Sequence, residues 1–194
     1  MLTLFHDVTN PASVVAAARC DRLAGAGLEV SVITIDAIGI DLSLPVTSDL
    51  RADLAEHAAA AAAEGLKLRA PAALPPSARC HAVGDLAEEA ALGPQWRRAT
   101  ATALWEHGAD LGDPDVLADL AAEVGLERAC AAAQVGSRAA VTAVRRRSAA
   151  VRGQGVGGVP TLLAHRTLVP GLLSDEDLWS LTSASRRPRT GRDD

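Results

Sequence analysis

The sequence has no Tyr, one Phe, one Met and a single Lys (Lys67) against eighteen Arg. Aromatic rings that scarce cannot build a core, so the 48% hydrophobic content has to pack as Leu, Val and Ala. The shortage of Lys is a compositional bias and carries no mechanism. Basic excess is missing too: the net charge of −5 argues against a general nucleic-acid binder, whose phosphate contacts need a basic surface. The three cysteines, Cys20, Cys80 and Cys130, are odd in number, far apart and without a C-x-x-C pair. That usage reads as a cytoplasmic, disulfide-free protein. Cys80 stands beside His81, but two further ligands at matching spacing are lacking, so no metal is expected. No stretch approaches a membrane span. The opening Met1 to Asp7 lacks the basic start and long apolar run of a secretory signal. At 194 residues the chain is one medium domain, or one domain carrying an insertion.

What is present is most distinctive between Gly153 and Gly171, GQGVGGVPTLLAHRTLVPG. Glycines break a helix, Val159-Pro160 follows, and two apolar runs flank His165-Arg166-Thr167, which predicts a β-hairpin. Pro160 cannot donate to a ladder and so belongs at a strand start. An X-Pro bond is also where a cis peptide is cheap. Gly153, Gly155 and Gly158 satisfy G-x-G-x-x-G, but a dinucleotide site needs a strand before the motif and a helix after it. Here the order is reversed.

Taken in order, Leu2 to Phe5 predicts a buried strand, followed by Asn10 as N-cap and Pro11 at the first helical position. The helix runs to about Ala24 with Ala16, Ala17, Cys20 and Leu23 on its apolar face, which makes Cys20 a small core residue. Leu28 to Ala37 is rich in β-branched residues and predicts a second strand, parallel to the first through a right-handed crossover. Helices follow over 49–64, from a Ser77 cap to about Leu92, through Trp96 and Trp105, over 116–124, a short fifth, and 137–152. His57 reads as a helix-edge residue, and Trp96 and Trp105 as helical core. Arg138, Arg145 and Arg152 recur every seven residues beside Arg146 and Arg147, a solvated face that could also attract an acidic ligand. Ser174 to Asp177 resembles a capping box before a last helix. The units are therefore 1–48, a helical insertion over 49–152, 153–184, and a disordered tail over 185–194.

Asp7-Val8-Thr9-Asn10-Pro11-Ala12-Ser13 at the first strand end, with Gly158-Val159-Pro160-Thr161 opening the hairpin, resembles the DsbA-like thioredoxin family. Residues 111–126 and Gly171 add to the likeness, which is narrowest with the FrnE, 2-hydroxychromene-2-carboxylate isomerase and kappa-class glutathione transferase branch. The resemblance implies an α/β thioredoxin fold, β-α-β then β-β-α, with an inserted all-helical subdomain. In redox members the first helix opens Cys-Pro-x-Cys, whose thiolate is stabilised by the helix N-terminus. Here those positions read Asn10-Pro11-Ala12-Ser13, without sulfur, so dithiol exchange at this place is excluded.

Two readings remain. In the first, a low-molecular-weight thiol such as glutathione or mycothiol lends its sulfur to an isomerase or transferase acting on an electrophilic substrate. The resemblance then implies Asn10 and Pro11 at the thiolate, Val159 and Pro160 on the cofactor stem, and His6 and Ser13 as neighbours able to activate it. Ser174 and Asp175 would either hold the amino-acid end of the thiol or simply cap the last helix. In the second, the scaffold is kept without chemistry, as a binding or structural protein, with a homodimer as one such form. A disulfide oxidoreductase would be so in family name only.

Overall fold

The computed structural model describes residues 1–183, and the tail expected over 185–194 lies outside the described residues. A four-stranded sheet is ordered β2-β1-β5-β6, with β1 Leu2–His6, β2 Val30–Thr34, β5 Thr161–Ala164 and β6 Thr167–Pro170. β1 and β2 are parallel; β5 runs antiparallel to β1 and to β6. The crossover helix α1, Pro11–Gly25, covers one face of the sheet. Between the halves lie the pair β3 Leu44–Pro45 and β4 Ala73–Leu74 and six helices. These are α2 Ser48–Ala63, α3 Ala78–Glu89, α4 Gly93–Trp105, α5 Pro114–Glu123, α6 Arg128–Gly136 and α7 Arg138–Gly153. Helix α8, Asp175–Ser183, follows the hairpin. The insertion is thus helical except for β4.

The second strand is shorter than its composition predicts. β1 offers five residues, and its register, Leu2 opposite Val30 through His6 opposite Thr34, uses all of them. Beyond Thr34 only Ile35 still donates, to the His6 carbonyl, and the amides of Asp36 and Ala37 are taken by side chains. Leu28 is spent on the C-terminal turn of α1, where its N–H donates to the Leu23 carbonyl. Helix α3 likewise stops at Glu89 rather than near Leu92, because Ala91 turns left-handed at φ 58° and the Leu92 N–H closes back onto Ala87. The caps at Asn10, Thr47, Asp113 and Ser137 each accept a first-turn N–H through the side chain. Ser77 does not: its hydroxyl is used elsewhere. Ser174 and Asp177 form the reciprocal capping pair over α8.

Two cores meet on α1. Ala16, Ala17, Cys20 and Leu23 pack on Leu2, Leu4, Leu162 and Leu178 against the sheet. Val14 and Val15, on another face of the same helix, join Trp96, Leu104, Trp105 and Leu117 of the insertion. Phe5, Ile35, Val151 and Val156 fill the opposite sheet face. Polar ties reinforce the contact: Arg97 of α4 makes a two-pronged pair with Asp21 of α1, at 2.9 and 2.6 Å. Trp105, 1% exposed, donates its indole N–H to the Val8 carbonyl at 2.9 Å, pinning the insertion to the turn that precedes α1. No helix of the described residues is long and apolar enough to cross a membrane.

Replacing Trp105 with Phe strips the Val8 carbonyl of its donor in a sealed site. The expected loss is about 1–3 kcal/mol for the orphaned acceptor, with the vacated volume adding to it. Urea unfolding monitored by far-UV circular dichroism checks this; an unchanged midpoint would show that the indole bond does not join the two parts.

Candidate active site

Strand periodicity decides where the residues around the first turn point. Along β1, Leu2, Leu4 and His6 share the face covered by α1, while Phe5 faces the other core. His6 is therefore buried at 2% exposure, behind the helix start. Ser13, fully buried, turns toward it: Ser13 Oγ lies 2.9 Å from His6 Nδ1 and accepts the Asp7 N–H at 3.1 Å. The two residues expected to activate a thiol are therefore bonded to each other in the interior. Asn10 is half-buried at the cap; its Oδ1 accepts the Ser13 N–H at 2.8 Å, and no hydrogen bond among the described residues uses its amide nitrogen. Pro11 is buried at the first helical position.

Next to His6, the carboxylate of Asp7 is sealed from solvent and collects five donors. Oδ1 accepts from the Thr9 N–H and hydroxyl at 3.0 and 2.9 Å and lies 3.2 Å from His81 Nε2. Oδ2 accepts from the Ala37 N–H at 2.7 Å and the Ser77 hydroxyl at 3.2 Å. Burial alone would raise the pKa of this carboxyl, but the bond and charge of His81 and the two backbone donors outweigh it and bring the pKa down to about 2. His6 moves from 6.5 down to about 3, first because burial disfavours its cation, then because of His81 and Arg97. Asp36 extends the cluster: Oδ1 accepts the Gly39 N–H, and its own N–H donates to Ser148 of α7. The joining of Asp7 to Ala37, Ser77 and His81 was not visible in the sequence, where Asp7 stood only at the first strand end and His81 as the neighbour of a cysteine.

The open space lies on the other side of the α1 start. A cavity of about 760 Å³ is bounded by Ala12, by Glu56 and His57 of α2, and by the glycine-rich approach to Val159, Pro160 and Thr161. One helical step separates Ala12, which faces this cavity, from Ser13, which faces inward. The Val159–Pro160 peptide is cis. Pro160 is fixed from both sides: its carbonyl accepts the Gly171 N–H at 2.9 Å, and Thr161 Oγ1 donates to the Gly158 carbonyl at 2.7 Å. The Val159 N–H and carbonyl have no hydrogen-bond partner among the described residues. A Cβ placed on Gly157 or Gly158 would meet nothing within 4 Å, so the wall there is low and open. Glu56 and His57 are the ionisable side chains on the wall. His57 thus lies at a helix edge, as its spacing suggests, and that edge borders the cavity.

Ser174 and Asp175 lie elsewhere. Ser174 Oγ is bonded to Asp177 within its own turn, and Asp175 pairs with Arg22 at 2.9 Å beside the Glu64 carboxylate. The Arg22 bond holds the Asp175 carboxyl below its ordinary range. The cavity contains no sulfur of the chain: Cys20 and Cys80 are buried, and Cys130 is exposed on α6. Burial raises the Cys20 thiol to about 12, far from the thiolate form at neutral pH.

A family model for the DSBA-like thioredoxin domain matches residues 1–180. No curated protein sequence matches the chain. Solved structures share the architecture. A probable DsbA oxidoreductase from Streptomyces coelicolor is 23% identical with a TM-score of 0.77, over 100% of this chain and 93% of the other. A 2-hydroxychromene-2-carboxylate isomerase is 23% identical with a TM-score of 0.76, over 95% and 93%. A structure of the cytosolic disulfide reductase DsbM from Pseudomonas aeruginosa with GSH is 20% identical with a TM-score of 0.69, over 95% and 98%. At these identities the likeness is one of fold.

The buried cluster fixes the acid response of stability. Unfolded, His6 takes a proton near 6.5; folded, it refuses one until about 3. The unfolded chain therefore binds the extra proton between those values, and stability falls as pH is lowered from about 6.5 toward 3. Asp7 acts in the same sense: its contribution is complete above 3.8 and is lost as pH falls through about 2. Urea midpoints measured from pH 7 to 4 should decline, and His6→Gln should flatten that decline. A wild-type midpoint that stays level across this range would refute the buried, neutral imidazole.

Proposed function

Since this chain belongs to the DsbA-like thioredoxin family, and holds Asn10 and Ser13 where the redox members carry their cysteines, we propose that it uses a borrowed thiol. A low-molecular-weight thiol of the glutathione or mycothiol kind enters the cavity beside α1 and serves an isomerase- or transferase-type reaction on an electrophilic substrate. One observation carries this reading: an open space of about 760 Å³, bounded by Ala12, Val159 and Pro160 and holding no sulfur of the chain's own. That two proteins of the same fold are an isomerase of 2-hydroxychromene-2-carboxylate and a reductase solved with GSH supports the choice of chemistry.

In this reading the peptide-like stem of the thiol pairs with the Val159 N–H and carbonyl. The sulfur lies at the α1 N-terminus, where the helix dipole and the Asn10 amide favour its anionic form. Asn10 donates but cannot accept the thiol proton. His6 and Ser13 are engaged with each other, so that proton passes to His57 on the facing wall. The thiolate then adds to one end of a conjugated C=C of the substrate, whose π pair moves onto the conjugated carbonyl oxygen. In an isomerase the resulting single bond rotates and the pair returns to expel the thiolate; in a transferase the C–S bond stays and the proton held by His57 quenches the enolate.

A non-catalytic reading draws on the same site, because the cap oxygen of Asn10 is spent on Ser13 and both expected activators are buried. Thermal denaturation separates the two. Glutathione or mycothiol at a hundred times its dissociation constant should add about 2.7 kcal/mol, roughly 5–10 °C for a chain of this size. Ala12→Trp, which fills the cavity from an otherwise tolerant position, should abolish the shift. Absence of any shift with either thiol would leave the non-catalytic scaffold standing.

A further inference from the structure

The arginines of α7 do not share one role. Arg147 donates to the Thr34 carbonyl at 2.8 Å and to Asp85 at 3.0 Å, and Arg152 to the carbonyls of Asp36 and Ala37 at 2.7 and 2.8 Å. Those two hold the helix to the end of β2. The side chain of Arg138, at the opposite end of α7, makes no hydrogen bond or close ion pair among the described residues, and neither does that of Arg79 of α3, whose charge is felt at Asp41. Both line one trough. A cavity of about 400 Å³ takes Arg79, Arg138 and Arg145 into its wall with Asp41, Ser137, Val141 and Thr142. It continues, through Arg79 and Asp41, into a second space of about 230 Å³.

The third guanidinium is already paired with two carboxylates. Arg145 donates to Asp41, whose side chain is 64% exposed, while its enclosed Nε pairs at 3.8 Å with Asp36 Oδ2, neither atom making a hydrogen bond. Three cations thus converge on a cavity whose wall holds one carboxylate, Asp41, in a protein whose net charge is −5. Ser137 and Thr142 add hydroxyl donors, and Val141 offers an apolar edge for a short carbon skeleton. We propose that this trough binds a small molecule carrying two or more negative charges on oxygen, with Arg79 and Arg138 as its main contacts and Arg145 drawn from Asp41. Guanidinium forks match both phosphoryl and carboxylate groups, which is the shared chemistry of the ligand. The trough is separate from the thiol cavity. It runs along α7 from Ser137 to Arg145, and the thiol cavity begins past the end of that helix at Gly155, with no lining residue in common.

Isothermal titration of the full chain with pyrophosphate and with citrate, each at matched ionic strength against sodium chloride, tests the site and tells the two ligand sources apart. At least one of the two polyanions should bind saturably. The double variant Arg79→Ala, Arg138→Ala should weaken it by about tenfold or more, as expected for lost charge-assisted bonds. Asp41→Asn should tighten it by about threefold, because the competing carboxylate is gone. Ala12→Trp should leave it unchanged. Failure of both polyanions to bind above the chloride control, equal binding by the double arginine variant, or weaker binding by Asp41→Asn would each overturn the assignment.

Discussion

The Asp7 carboxylate sets the terms for everything around it. A charge withdrawn from water at the end of a strand is tolerable only when nearly every lone pair is met. The donors that meet these come from the turn into α1, from the tail of β2 and from the start of α3. One acid thus fixes three segments at the same end of the sheet. It also decides which polar residues are left for chemistry. His81 and Ser77 are consumed directly, and the Asp7 amide recruits Ser13, which occupies His6. What remains able to meet a ligand near α1 is the Asn10 amide, the Val159 backbone and the side chains of Glu56 and His57.

Local chemistry was legible in the sequence because it depends on neighbours. Asn10-Pro11 announces a cap and a first helical residue, Ser174 with Asp177 a reciprocal cap, and two apolar runs around His165-Arg166 a hairpin; all three form as read. Strand β2 was overestimated because β-branched residues report a preference for extended backbone, whereas its length is set by a partner only five residues long. The acid cluster was not legible at all. Asp7 reaches Ala37, Ser77 and His81 across 30, 70 and 74 positions, and no spacing rule connects them. His57 could be placed at a helix edge, but which edge meets the glycine-rich loop depends on how α2 lies on α1. The same holds for Arg79, which sits one residue into α3 and meets Arg138 only through the packing of α3 on α7.

The two cavities follow from the way the insertion is attached. α1 offers its first turn to one of them, and α7, which closes the insertion, borders the other at its start before delivering the chain to Pro160. Arginine is the connecting residue throughout: Arg97 joins α4 to α1, Arg19 and Arg22 join α1 to Glu64 and Asp175, and Arg147 and Arg152 join α7 to the end of β2. With so few aromatic rings, planar guanidinium groups supply much of the directional contact between elements.

Helix α1 belongs to both cores at once, with Val14 and Val15 on one side and Ala16, Ala17 and Cys20 on the other. Neither part can therefore melt and leave the other its full complement of buried surface. The two parts should thus melt together, in one endotherm with equal van't Hoff and calorimetric enthalpies, and excising the insertion would yield two fragments that each lack a wall.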